Sequence, residues 1–201
     1  FFRMERPVAE VVAARDLPEG PWRYTDDTVM ALAIHEVLAE RGELDVDALA
    51  EGFASRYAAE PWRGYGANAR KILEAVSRGE EWRRVAEESF GGDGSYGNGA
   101  AMRVAPVGAY FAGDLDAVVE AAEESARITH THPEGIAGAV AVAVAAAVAR
   151  QTRRAAPEES AEAIVEAVLD RTPSGETRRG IAEAAEFDRD HSVSEAAERF
   201  Y

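Results

Sequence analysis

The chain has 201 residues, 47% of them hydrophobic, which is enough for one sizeable core and too apolar for disorder. Its 22 basic and 37 acidic residues give a net charge of −15, which excludes phosphate-backbone binding as the main task, because no cationic surplus exists to displace counterions. Cysteine is absent, so disulfide and thiolate chemistry are excluded, and a reducing, cytoplasmic setting is expected.

The chain opens on FFRMERPV, which has neither a signal-peptide pattern nor an initiator Met. From there the pattern is helical throughout. Met30, Ile34, Val37 and Leu38 form an apolar stripe on a helix expected from Asp26 to Arg41. Leu49, Phe53 and Tyr57 do the same from Val46 to Glu60, and Ile72, Leu73 and Val76 mark a third helix. Pro61, Gly64 and Gly66 mark the loop between these two. A polar helix is expected from Trp82 to Ser89, then a glycine-rich loop from Gly91 to Gly99. The segment from Ala100 to Phe111 should kink or start at Pro106. Further helices fit Leu115 to Ile128, Pro133 to Gln151, Pro157 to Leu169 and Glu176 to Phe187. The longest uncharged run, Gly135 to Ala149, is short for a bilayer. The Ala-rich Pro133 to Gln151 helix is apolar on nearly every side, so it reads as the buried central helix. Alanine, at 42 residues, dominates the composition and favours helix. No alternating run of β-branched and aromatic residues is present, and the expectation is a single all-α domain spanning the chain.

Four stretches carry chemistry. Tyr24-Thr25-Asp26-Asp27-Thr28 stands directly before an apolar helix. Thr25 is placed to cap it, and the acids suit the positive end of the helix dipole. The same oxygens also suit a hard cation such as Mg²⁺, and the two roles are compatible. In Phe90 to Arg103, residues Gly92, Gly94 and Gly97 satisfy G-x-G-x-x-G. The preceding EEWRRVAEES is polar and helical rather than a buried strand, so a dinucleotide fold is rejected. A surface loop and an anion-binding loop both remain open, since glycines let backbone N–H groups approach a ligand. Thr129-His130-Thr131-His132-Pro133 offers H-x-H, but four His and no Cys make a poor zinc inventory. One of these His is expected to contact substrate or to cap the following helix, while His35 and His191 read as ordinary surface or helix residues. Asp188-Arg189-Asp190-His191 contains D-x-D, read as a solvated turn rather than a metal pair.

Taken together, YTDDTVMAL from Tyr24, RGYGANA from Arg63, FGGDGSYGNGAAMRVAPVG from Phe90 and THTHPEGIAGAVAVA from Thr129 resemble the ADP-ribosylglycohydrolase family. The resemblance runs from about Tyr24 to Arg150, with weaker similarity to the end, and is closest to the branch acting on serine-linked, poly- and O-acetyl-ADP-ribose. It implies a compact, orthogonal all-α fold and a centre of two Mg²⁺ ions. On these motifs the metal ligands are Thr25, Asp26 and Asp27, with Asp26 and Asp27 also catalytic. The resemblance puts the diphosphate and ribose contacts on Asp93, Gly94, Ser95, Tyr96, Gly97, Asn98 and Gly99, and further ligand contacts on Phe90, Tyr96 and His130. It implies ADP-ribose or an ADP-ribosylated protein as partner, with neither nucleic acid nor membrane. The family also has an opening helix with a Gly-Asp motif and a closing GG-D-x-D-T segment. This sequence shows neither, so the chain is expected to be a piece of a longer hydrolase. A non-catalytic ADP-ribose-binding or structural helical protein is the alternative, and an all-α metal-dependent phosphohydrolase is a more distant one.

Overall fold

The computed structural model describes residues 20–187, together with Glu195 and Arg199. Asp188, Asp190 and His191 lie outside the described residues. Every regular element among those described is helical. In chain order these are α1 (Asp26–Arg41), α2 (Val46–Ala59), α3 (Ala67–Ser77), α4 (Trp82–Glu87), α5 (Ala105–Tyr110), α6 (Leu115–Arg127), α7 (Pro133–Gln151), α8 (Pro157–Arg171) and α9 (Glu176–Glu186). Two 3₁₀ turns, Ser89–Gly92 and Ala101–Arg103, flank the glycine-rich loop.

The helix boundaries follow local chemistry. Asp45 caps α2 by accepting from Ala48 N, and Asp114 caps α6 by accepting from Asp116 N and Ala117 N. Gly42, at φ 74°, closes α1 in the left-handed conformation that glycine adopts freely. Pro106 starts α5 rather than kinking a longer helix, because its missing N–H is no loss in a first turn.

The apolar faces meet on α7. Ala139, Val140, Ala143, Val144 and Ala147 are fully buried, and α5, α6, α8 and the Ala101–Arg103 turn all pack around this helix. By length and composition alone α7 could cross a bilayer; here 56% of its most apolar window is buried, the position of a core helix. Small residues permit close crossings. A Cβ on Gly108 of α5 would lie 2.0 Å from the Ala143 carbonyl oxygen, so only glycine allows this contact. On the other side, α1 packs on α2 and α5, and α2 packs on α3. Ile34, Leu49, Phe53 and Leu73 are fully buried there, each worth about 1.5–3 kcal/mol of transfer energy. This packing brings the N-termini of α1 and α3, the glycine-rich loop and the α6–α7 junction to one region of the surface.

Candidate functional site

A cavity of about 510 Å³ opens where these segments converge. It is lined by Asp26 and Asp27 from the first turn of α1 and by Gly66, Ala67, Asn68 and Ala69 from the start of α3. Phe90, Ser95, Gly97, Asn98 and Gly99 come from the glycine-rich loop, Met102 and Arg103 from the following turn, and His130 from the α6–α7 junction. Two helix N-termini therefore face one concavity, each presenting N–H groups and the positive end of a dipole.

The α1 end is tied to the α2–α3 loop. Asp26 N–H donates to the Arg63 carbonyl at 2.9 Å, and the Arg63 guanidinium donates to the Tyr24 carbonyl while lying 4.0 Å over the Tyr24 ring. Gly64, at φ 103°, brings this loop so near that a Cβ there would stand 3.2 Å from Asp26 Oδ1. Asp26 is buried and Asp27 is exposed. Burial, with a smaller contribution from the Asp27 charge, raises the Asp26 carboxyl above its ordinary range. Thr25 is the N-cap residue, but its side chain makes no cap. Its hydroxyl donates to Asp27 Oδ2 at 2.6 Å instead, and Thr25 is not among the residues lining the cavity.

The glycine-rich loop begins with Phe90 in left-handed backbone, at φ 53° and ψ 35°. Few non-glycine residues accept this geometry, and it turns the exposed Phe90 ring to the cavity rim. Gly94 seats the loop against the α6–α7 junction, since a Cβ there would meet Thr131 Oγ1 at 2.3 Å. Ser95 is buried, and its hydroxyl accepts from Gly97 N–H at 3.3 Å. Asp93, Gly94 and Tyr96 do not line the cavity; Tyr96 is 75% exposed and its ring lies 5.4 Å from that of His132.

Of the two histidines of the H-x-H, His132 takes the capping role read from the sequence: it caps α7, its Nδ1 accepting from Glu134 N–H at 3.1 Å. His130 is buried at the cavity wall with Nδ1 2.7 Å from Thr129 Oγ1. Burial first, then the Arg103 charge, pushes the His130 imidazolium down to about 3, so the ring is neutral.

Arg103 lines the cavity as well, though the motifs gave it no role. It is 1% exposed, donates to Thr129 Oγ1 at 2.9 Å and to the Ser125 carbonyl at 2.7 Å, and lies 4.5 Å over the Phe53 ring. Its signal was present as a lone cation in the apolar run AAMRVAPV. Asn68 went unread too. Its amide Nδ2 is buried without a partner among the described residues. No group of three or more His, Asp or Glu side chains arranged for a metal occurs among the described residues.

The chain is 39% identical over 120 residues to ADP-ribosylhydrolase ARH3 of Xenopus tropicalis, a match covering 58% of this chain and 34% of that protein. The same-named protein of Gallus gallus is 36% identical over 140 residues, covering 68% of this chain and 38% of its own length. That of Homo sapiens is 39% identical over 121 residues, covering 58% and 32%. The chain thus spans about a third of the length of the curated relatives it matches. The family model for ADP-ribosylglycohydrolase matches residues 2–201, well beyond the Tyr24 to Arg150 stretch carried by the motifs. With a match of that extent, the chain belongs to the ADP-ribosylglycohydrolase family.

Proposed function

We propose that this chain binds ADP-ribose in the cavity between α1, α3 and the glycine-rich loop and serves hydrolysis of O-linked ADP-ribose conjugates, serine-linked ones in particular. The observation that carries the reading is one cavity gathering Asp26, Asp27, the Ser95–Gly99 loop and His130 from distant parts of the chain. Its volume of about 510 Å³ lies within the range of small-molecule sites. The ADP-ribosylhydrolase names of the relatives support the same chemistry.

The roles follow from the side chains. Backbone N–H groups of Asn98 and Gly99 neutralise a diphosphate locally, which lets an acidic protein hold an anion. Phe90 offers an aromatic face to a ribose or a base. Asp26 and Asp27, with Thr25, are hard oxygen donors of the kind Mg²⁺ takes, and the buried Asp26 carboxylate gains most from a cation beside it. These donors fit one Mg²⁺ that keeps several waters; a two-ion centre needs more carboxylates than the described residues bring together. The chemistry that a bound Mg²⁺ supplies there is orientation of the ribose hydroxyls and polarisation of an oxygen. The bond broken joins the anomeric ribose carbon to the acceptor oxygen, with oxocarbenium character in the transition state.

Only two carboxylates, Asp26 and Asp27, gather there among the described residues, and this favours a second reading, an ADP-ribose-binding protein without turnover. One experiment separates the two. The chain is titrated with ADP-ribose by calorimetry and incubated with serine-, arginine- and O-acetyl-linked conjugates, with and without Mg²⁺. Mg²⁺-dependent release from the serine conjugate, lost in Asp26→Asn, is the expected result. Binding without release selects the second reading, and no binding overturns both.

A further inference from the structure

We infer that Arg103 and Thr129 are positioning residues that fix His130 in a single tautomer, with Nδ1 as acceptor and Nε2–H as a donor presented to the cavity. The inference rests on the reading of that cavity as the ligand site only for what the donor meets.

The argument is a proton count around one hydroxyl. Thr129 Oγ1 is fully buried, 2.9 Å from Arg103 Nη1 and 2.7 Å from His130 Nδ1. A guanidinium nitrogen only donates, so Oγ1 accepts from Arg103. The hydroxyl has one hydrogen left to place, and His130 Nδ1 is its one acceptor within hydrogen-bond distance among the described residues. If Nδ1 carried the proton, Oγ1 would accept twice and its own hydrogen would be buried unsatisfied, which costs free energy that the Nδ1-accepting form does not. The order is therefore Arg103 N–H to Thr129 Oγ1, then Thr129 O–H to His130 Nδ1. A neutral imidazole with Nδ1 accepting carries its hydrogen on Nε2.

Nε2 has no hydrogen-bond partner among the described residues, and the glycine loop is built around it. A Cβ on Gly97 would stand 3.7 Å from Nε2, and one on Gly99 3.1 Å from it. The bare glycine backbone leaves this edge of the ring open to whatever fills the cavity. An Nε2–H there serves an acceptor, such as a hydroxyl or phosphate oxygen, and cannot abstract a proton. Burial and the Arg103 charge beside the ring also keep His130 neutral. Arg103 in turn is held by Thr129, the Ser125 carbonyl and the Phe53 face, so the order is anchored in the core rather than in the loop.

Long-range ¹H–¹⁵N correlation spectra of the full chain read the tautomer directly, with His130 assigned by the loss of its signals in His130→Gln. The expected spectrum is neutral Nε2–H at neutral pH without any ligand. A neutral Nδ1–H form, or an imidazolium, overturns the inference whether or not ADP-ribose binds. In Thr129→Val the tautomer signal should become mixed or invert, and ADP-ribose affinity should fall roughly 2- to 12-fold, as loss of one neutral hydrogen bond implies. Thr129→Ser, which keeps the hydroxyl, should restore both. A Thr129→Val chain with an unchanged Nε2–H signal and unchanged affinity overturns the positioning role. If Thr129→Val does not fold, the wild-type and Thr129→Ser spectra still decide the tautomer. A wild-type chain with the expected tautomer and no affinity for ADP-ribose supports the inference and overturns the proposed function instead.

Discussion

Phe90 and Gly99 show how single residues shape the cavity. At φ 53° the Phe90 backbone sits where a β-carbon costs about 1–2 kcal/mol, yet the ring is exposed and contributes nothing to the core. Phe90→Gly should therefore leave stability unchanged or raise it by up to about 1 kcal/mol in a denaturant melt. The same change should weaken ADP-ribose binding about tenfold, the scale of one lost aromatic stack. A loss of stability with full affinity would contradict the assignment of Phe90 to the ligand. Gly99 acts through contact rather than conformation. A Cβ there would stand 2.8 Å from His130 Cε1, and that ring is buried and bound to Thr129. Gly99→Ala should cost about 1–3 kcal/mol of stability, as overpacking does, and at least tenfold in affinity. Thermal melts and calorimetric titration check the two halves separately. The motifs mark both positions as ligand contacts, but the strain at Phe90 and the close approach at Gly99 exist only once the backbone is placed.

Among the elements, α9 has the weakest hold, since none of its residues is buried. Its N-terminus is capped from another helix. Glu134, in the first turn of α7, accepts from Glu176 N–H at 2.9 Å and from Thr177 N–H at 2.7 Å, and Gly175 leaves room for that carboxylate. These bonds, those of Thr177 first, hold the Glu134 carboxyl below its ordinary value of 4.5. A carboxyl lowered in the folded state stabilises fully above its unfolded value, and the contribution is lost as pH falls through the folded value. Glu134→Ala should cost about 1 kcal/mol at pH 7, and the gap to the parent chain should close as the pH drops below about 4.5. Paired urea melts across that range measure it, and a gap that widens on acidification would be the wrong sign. The contrast with the other caps explains what was legible. Asp45 and Asp114 cap the helices that directly follow them, with partners two or three residues along the chain. Glu134 reaches a partner 42 residues away, and Thr25, read as a cap from its position, gives its hydroxyl to Asp27. Helices and their order could be read from periodicity because that information is local. Arg103 stands out locally as a lone cation in an apolar run, but its role depends on Thr129, 26 residues further along.

At the scale of the whole molecule, the charge of −15 and an anionic ligand stand in opposition. The motifs pointed to the ligand, whereas the composition pointed away from phosphate, and the two agree only if binding is local. The described cavity has that character. Its donors are backbone N–H groups at two helix N-termini and a neutral His130, and its nearest cation, Arg103, is buried and engaged with Thr129 and Ser125. Nothing in that set draws a diphosphate from a distance, while the net charge repels it over a Debye length of about 30 Å at 10 mM salt and about 8 Å at 150 mM. Salt should therefore speed association. Between about 10 and 150 mM KCl, at fixed free Mg²⁺, the association rate of ADP-ribose should rise severalfold while the dissociation rate changes little, since short contacts in the cavity are screened far less. This is the reverse of an electrostatically steered site, where the rate falls steeply with ionic strength. Stopped-flow mixing at the two salt concentrations reads both rates. An association rate that falls with salt would mean that a positive potential extends beyond the cavity mouth, with Arg103 felt through the loop rather than confined beneath it.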